Sequence, residues 1–252
     1  MISRDVLVEA CDKELQAERF KDYTVNGLQV AGADRVARVM SGVTASQALL
    51  DEAVAWQADL LLVHHGYFWK NEPVAITGMK RRRLATLLAH DINLLAYHLP
   101  LDAHPTLGNN AQLAHRLGFE FERSIDGELG SGLLWLGACP GGTKTNELAI
   151  LVNEKLGRKP MVIDGHDGLI ERVAWCTGGA QDMIAAAADA GAQAFISGEI
   201  SERTTHQARE MGISYIAAGH HATERYGVQA LGAWLAERFD IEHRFVDIDN
   251  PA

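Results

Sequence analysis

The chain has 252 residues, 47% of them hydrophobic and 22% charged, which suits one large or two small globular domains with sizeable cores. A formal net charge of -10 argues against general binding to polyanions, because nucleic-acid binders usually carry a basic footprint. Cys11, Cys139 and Cys176 are too few and too far apart for a disulfide framework or a Cys-based zinc site. No run nears the roughly 20 apolar residues of a membrane span, so a cytoplasmic location is expected.

Apolar residues at Val6, Leu7, Ala10, Cys11 and Leu15 recur with helical period and predict an amphipathic helix over residues 3–18, with Ser3 as N-cap. Residues 24–30 and 36–43 are rich in β-branched side chains and read as strands. A helix over 46–57 then leads to the continuous apolar run 60–63, a buried strand. Strand, helix and strand form a βαβ unit, so that pair is expected to be parallel.

The run 60–63 leads straight into His64, His65 and Gly66. Open α/β sheets place ligands beyond the carboxyl ends of their strands, so a histidine pair there marks a metal site. Adjacent strand residues point to opposite faces; for both rings to meet one site the chain must turn at His65, and Gly66 allows that turn. The alternative is one core histidine and one solvated one.

Next come Tyr67, Phe68, Trp69 and Lys70, a set open to three uses: packing, a stacking platform for a base, or a subunit contact. The cluster 80–83, Lys-Arg-Arg-Arg, begins the helix over 84–90 and reads as a charged face or a phosphate contact. Residues 93–97 form another buried strand ending at His98. Pro100 and Pro105 are expected to keep 98–105, with Asp102, in a loop. A helix over 110–117 closes on Gly118.

The polar, Gly-rich stretch 123–132 reads as a boundary between domains 1–124 and 125–252, with the C-terminal helix and strand able to pack back on the first. Strands are predicted at 133–138, 161–164, 173–177, 194–197, 214–218 and 243–248. Helices are predicted at 145–156, 181–190, 200–211 and about 224–239.

The two halves repeat. Residues 39–65 align without a gap on 173–199, setting Gln47 on Gln181, Ala53 on Ala187, and the pair His64 and His65 on Gly198 and Glu199. After one inserted residue, His98 and Asp102 fall on His220 and Glu224. The expected fold class is α/β: two similar α/β domains from an internal duplication. Two strand-end clusters of polar groups would then face a shared cleft.

Those strand ends collect His64, His65, His98, Asp102, His220, His221 and Glu224. Imidazoles and carboxylates without thiolate suit zinc, iron(II) or manganese(II). Two carboxylates able to bridge point to two divalent metal ions, and such a site keeps positive charge that recruits an anionic substrate. Glu199, Glu202 and His206, near the matched position, read as pocket lining.

Five segments, 64–70, 98–105, 108–112, 197–202 and 218–225, together resemble the YbgI-like family of GTP cyclohydrolase 1 type 2 homologues, over nearly the whole chain. The resemblance implies a dinuclear metal centre between two alike domains, with ligands at His64, His65, Asp102, His220 and Glu224. It also implies a ring-shaped homohexamer. His98 and His221 are left as catalytic candidates, for proton transfer or support of a ligand. The expected function is a metal-dependent hydrolase of a nucleotide or related anion, with a cyclohydrolase as the narrower form. The alternative is a non-catalytic metal-binding ring scaffold or a nucleic-acid-associated protein.

Overall fold

The computed structural model describes residues 1–127 and 130–252, and the chain divides into two compact units. One comprises Met1–Leu101 with Gly227–Asp249, the other Asp102–Tyr226 with Asn250–Ala252.

In the first unit a sheet runs in the order Glu242–Phe245, Arg38–Thr44, Leu60–His65, Asn93–Ala96, Gly27–Val30. The first four strands are parallel and the last is antiparallel to its neighbour. Leu60, Leu61, Leu62 and Val63 are fully buried, as expected of a central parallel strand covered on both faces. The helices Gln47–Ala55 and Gly78–Ala89 bring Leu49, Leu50, Ala53, Leu84 and Leu87 into one core with Met40, Leu61, Val63 and Leu94. Ser46 starts the first of these helices by accepting a hydrogen bond from Leu49 N at 3.3 Å. That helix lies close because residue 42 is glycine: a Cβ there would meet Leu49 Cδ2 at 2.5 Å.

In the second unit the sheet order is Glu120–Gly127, Gly130–Thr143, Ile170–Cys176, Ala194–Ser197, Ser214–Ala217, Met161–Ile163. Ile170–Cys176, Ala194–Ser197 and Ser214–Ala217 are parallel, and the other pairings are antiparallel. Trp175 is fully buried and donates from Nε1 to Asn110 O at 3.0 Å. Asn110 in turn donates to Leu133 O at 2.7 Å and accepts from Thr177 N at 3.1 Å, which fastens the helix Asn109–Leu117 to the sheet.

Both units share three successive parallel strands and an antiparallel edge strand that precedes them in sequence but pairs with the third, and the first unit adds Glu242–Phe245 as a fourth parallel strand. A helix precedes that edge strand in each case, Arg4–Leu15 in the first unit and Thr145–Leu156 in the second.

Several boundaries differ from expectation for identifiable reasons. The opening helix ends at Leu15, where Gln16 turns left-handed with φ of 49°. The segment Leu99–Ala103 is a short helix rather than a loop, because Pro100 falls in its first turn, where the missing N–H has no intrahelical partner to lose. The basic cluster lies inside the helix Gly78–Ala89. The stretch 123–132 contains the adjoining ends of two paired strands, and its residues 128–129 lie outside the described residues. The last helix begins at His220, four residues earlier than predicted. Among the described residues, no helix is long and apolar enough to cross a membrane.

Candidate metal-binding site

In the first unit the strand Leu60–His65 carries both histidines to its end. His64 is fully buried, and its Nδ1 lies 2.8 Å from Tyr97 O. A carbonyl only accepts, so Nδ1 donates and Nε2 is the nitrogen able to coordinate a metal. His65 Nδ1 lies 3.2 Å from Thr44 Oγ1, across the parallel pairing of their strands. His98 follows the neighbouring strand, and its Nδ1 is 2.7 Å from Asp22 Oδ1. Ring centroids are 4.6 Å apart for His64 and His65, 5.2 Å for His64 and His98, and 5.8 Å for His65 and His98. One nitrogen of each of these three rings lies within 4.8 Å of the others, a grouping able to hold a metal ion.

Gly66 serves this arrangement through close approach. A Cβ on it would sit 2.3 Å from Gln29 Oε1 and 2.7 Å from Ala96 Cβ. The left-handed turn falls instead at Phe68, with φ of 64°.

That turn splits the aromatic run into three roles. Tyr67 is buried and donates to Ala45 O at 2.8 Å, and Phe68 lies 4.9 Å beneath Lys80 Nζ. Trp69 sets its ring edge against His98 at 5.0 Å and lies 5.9 Å from His65. Lys80 also pairs with Glu72 at 3.0 Å, and Arg83 stacks 6.0 Å from Tyr67. Both cations are thereby engaged in holding this loop, whereas Arg81 and Arg82 are exposed.

In the second unit Asp102 is buried, and its Oδ1 accepts from Asn109 Nδ2 at 2.8 Å and from Thr177 Oγ1 at 3.2 Å. The early start of the last helix makes His220 and Glu224 a helical i,i+4 pair, with Nε2 and Oε2 3.1 Å apart. His220 Nδ1 lies 2.7 Å from Glu199 Oε1. Burial by itself lowers the pKa of His220, but hydrogen bonds and charge from Glu224 and Glu199 outweigh it and raise the value to about 9. Gly178 has φ of 70° and leaves room for Glu224: a Cβ there would meet Oε1 at 2.1 Å.

His221 is buried at 8% exposure, and about 100° of helical rotation separates it from His220. Its backbone N donates to Ala252 O at 3.2 Å. Glu202 and His206 form an exposed pair at 3.3 Å on the helix Glu202–Met211.

Asp22, Thr44 and Thr177 belong to none of the sequence motifs, and Asn109 has no role assigned from them. Asn109 had a signal in the motif 108–112; Asp22 lies in an irregular segment 76 residues from His98 and had none. A cavity of about 720 Å³ in the first unit has Asp12, Phe20, Asp22 and Asn26 in its wall. In the second unit a cavity of about 570 Å³ is lined by Arg158, Lys159 and Glu199, among others.

The profile of the Duf34/NIF3 (NGG1p interacting factor 3) family matches residues 2–251. A Pseudomonas aeruginosa protein named GTP cyclohydrolase 1 type 2 homolog is 56% identical over 251 residues, covering 100% of this chain and 99% of that one. An Escherichia coli K12 protein of the same name is 53% identical over 247 residues, covering 98% of each. The solved structure of protein ybgI, described as of unknown function, is 51% identical and superposes with a TM-score of 0.96 over 100% of both chains. A solved structure from Thermus thermophilus is 35% identical, with a TM-score of 0.89 and the same coverage.

Proposed function

The chain belongs to the Duf34/NIF3 family, and from that premise we propose that it is a dinuclear-metal-dependent hydrolase of a nucleotide or related anionic small molecule. The observation that carries this reading is the pair His64 and His65, each with its Nδ1 held by a protein oxygen and each offering a nitrogen within 4.8 Å of the other and of His98. Imidazole held in this way is the usual preparation of a metal ligand. The donor set suits zinc, iron(II) or manganese(II).

In this reading His64, His65, Asp102, His220 and Glu224 hold two divalent ions. Such ions supply Lewis-acid stabilisation of developing negative charge and a lowered pKa for water. The remaining groups orient and exchange protons. Asn109 and Thr177 aim Asp102, and Glu199 aims His220. His98 and His221 are the proton-transfer candidates, and the Trp69 ring lies beside those of His65 and His98. The relatives' names support ring opening of GTP as the narrower form.

A cytoplasmic location belongs to the same proposal, supported by three buried, unbridged cysteines. So does a ring-shaped homohexamer, supported by exposed Val74, Ile76 and Met79 on the first unit. Sedimentation showing only monomer at micromolar concentration would remove that part.

The deciding experiment incubates metal-loaded protein and its Glu224→Gln variant with GTP and a panel of nucleotides, then separates the products. Formate with a pteridine precursor establishes ring opening, and released phosphate or nucleoside establishes ester hydrolysis. Silence from both proteins across the panel rejects the hydrolase.

A further inference from the structure

Asp22 is a carboxylate with only 2% of its side chain exposed, in the irregular segment before the strand Gly27–Val30. Four donors surround it. Oδ1 receives His98 Nδ1 at 2.7 Å and Tyr23 N at 2.6 Å; Oδ2 receives Asn26 Nδ2 at 2.9 Å and Leu99 N at 3.0 Å. Asn26 also accepts from His98 N at 2.7 Å, so Asp22 and Asn26 together grip both the ring and the backbone of His98. A buried carboxylate this fully engaged is held ionised, and an ionised carboxylate only accepts. His98 Nδ1 must therefore carry a hydrogen.

We infer that Asp22 is a positioning residue for His98: it fixes the imidazole with its hydrogen on Nδ1, so that in the neutral ring Nε2 is the hydrogen-bond acceptor beside His64 and His65. The role of that acceptor, receiving a hydrogen from water or substrate, rests on the hydrolase reading. The tautomer does not. His98 is 15% exposed in its side chain, and the Trp69 ring lies edge-on at 5.0 Å.

The network itself supplies a diagnostic substitution. In Asp22→Asn one carboxylate oxygen becomes an NH2 group and must face something able to accept. The backbone N–H groups of Tyr23 and Leu99 can only donate, and Asn26 is fixed in orientation by its bond from His98 N. His98 alone can change role, by moving its hydrogen from Nδ1 to Nε2. The substitution should thus reverse the tautomer and turn the acceptor beside His64 and His65 into a donor.

Long-range proton–nitrogen NMR of labelled protein, with and without zinc, reads the two His98 nitrogens directly. The wild type should show hydrogen on Nδ1 and a lone pair on Nε2, and Asp22→Asn should show the reverse. Bound zinc should be unchanged, while turnover of any nucleotide the wild type hydrolyses should fall about 100-fold, mainly in kcat. Hydrogen on Nε2 in the wild type, or an unchanged tautomer in Asp22→Asn, overturns the inference; so does a reversed tautomer with undiminished turnover. If the wild type hydrolyses nothing, the hydrolase reading fails and the nitrogen signals alone decide the positioning of His98.

Discussion

His220 and Glu224 stand one turn apart on a single helix, Nε2 to Oε2 at 3.1 Å, while Glu199 takes the opposite ring nitrogen at 2.7 Å. A carboxylate at each nitrogen makes the metal-free imidazole a held imidazolium, with its pKa raised from 6.5 to about 9.

This sets the sign of a pH effect. A histidine whose folded pKa exceeds its unfolded value stabilises the fold fully below the unfolded value and loses that contribution as pH rises through the folded one. Metal-free protein should therefore lose thermal stability between pH 6.5 and about 9, and His220→Asn should flatten that slope. Melting curves in chelator across this range test it; parallel slopes for the two proteins would refute it. Metal uptake at neutral pH should also release a proton, visible with an indicator dye in weak buffer.

Elemental analysis should find two transition-metal ions per chain under the proposed ligand assignment. His65→Ala and Asp102→Ala should each lower that number with the fold retained by circular dichroism. Fewer than one ion per chain in the wild type, with no loss in either variant, rejects the site.

Gly178→Ala should be more harmful to metal binding than its size suggests. Its φ of 70° disfavours any Cβ, and that atom would lie 2.1 Å from Glu224 Oε1. About 1–3 kcal/mol of stability should be lost through overpacking, with metal affinity falling as Glu224 is displaced. Gly157→Ala is the control: its φ of 66° is similarly strained but no heavy atom lies within 4 Å. Equal metal affinity in the two variants would show that Glu224 is not disturbed.

Trp69 should report on the histidine cluster, because its ring lies 5.0 Å from His98 and 5.9 Å from His65. Zinc added to metal-free protein should change the tryptophan emission, and Trp69→Phe should abolish most of that change. A full response in the variant would place the signal at another tryptophan.

The α/β class, the buried run 60–63 and the histidines at its end were legible in the sequence, because burial on both faces of a parallel strand demands a continuous apolar segment. Most of the order of helices and strands was legible for the same reason, since hydrophobic period is a local property, but the strand Glu120–Gly127 and the short helix Leu99–Ala103 were not. Helix ends were less so. The last helix starts at His220 because of the tertiary setting of that turn, where Thr223 Oγ1 accepts from Gly178 N at 3.0 Å, a contact invisible to periodicity.

The partners of the histidines were decided by tertiary structure alone. Asp22 meets His98 across 76 residues, Tyr97 O meets His64 across 33, and Glu199 meets His220 across 21. A coordinating residue is recognisable by its type and its place at a strand end. The group that orients it need only supply one oxygen at hydrogen-bond distance, and many residues in any segment can do that. Which one does so depends on how the chain packs, and no local pattern encodes that choice.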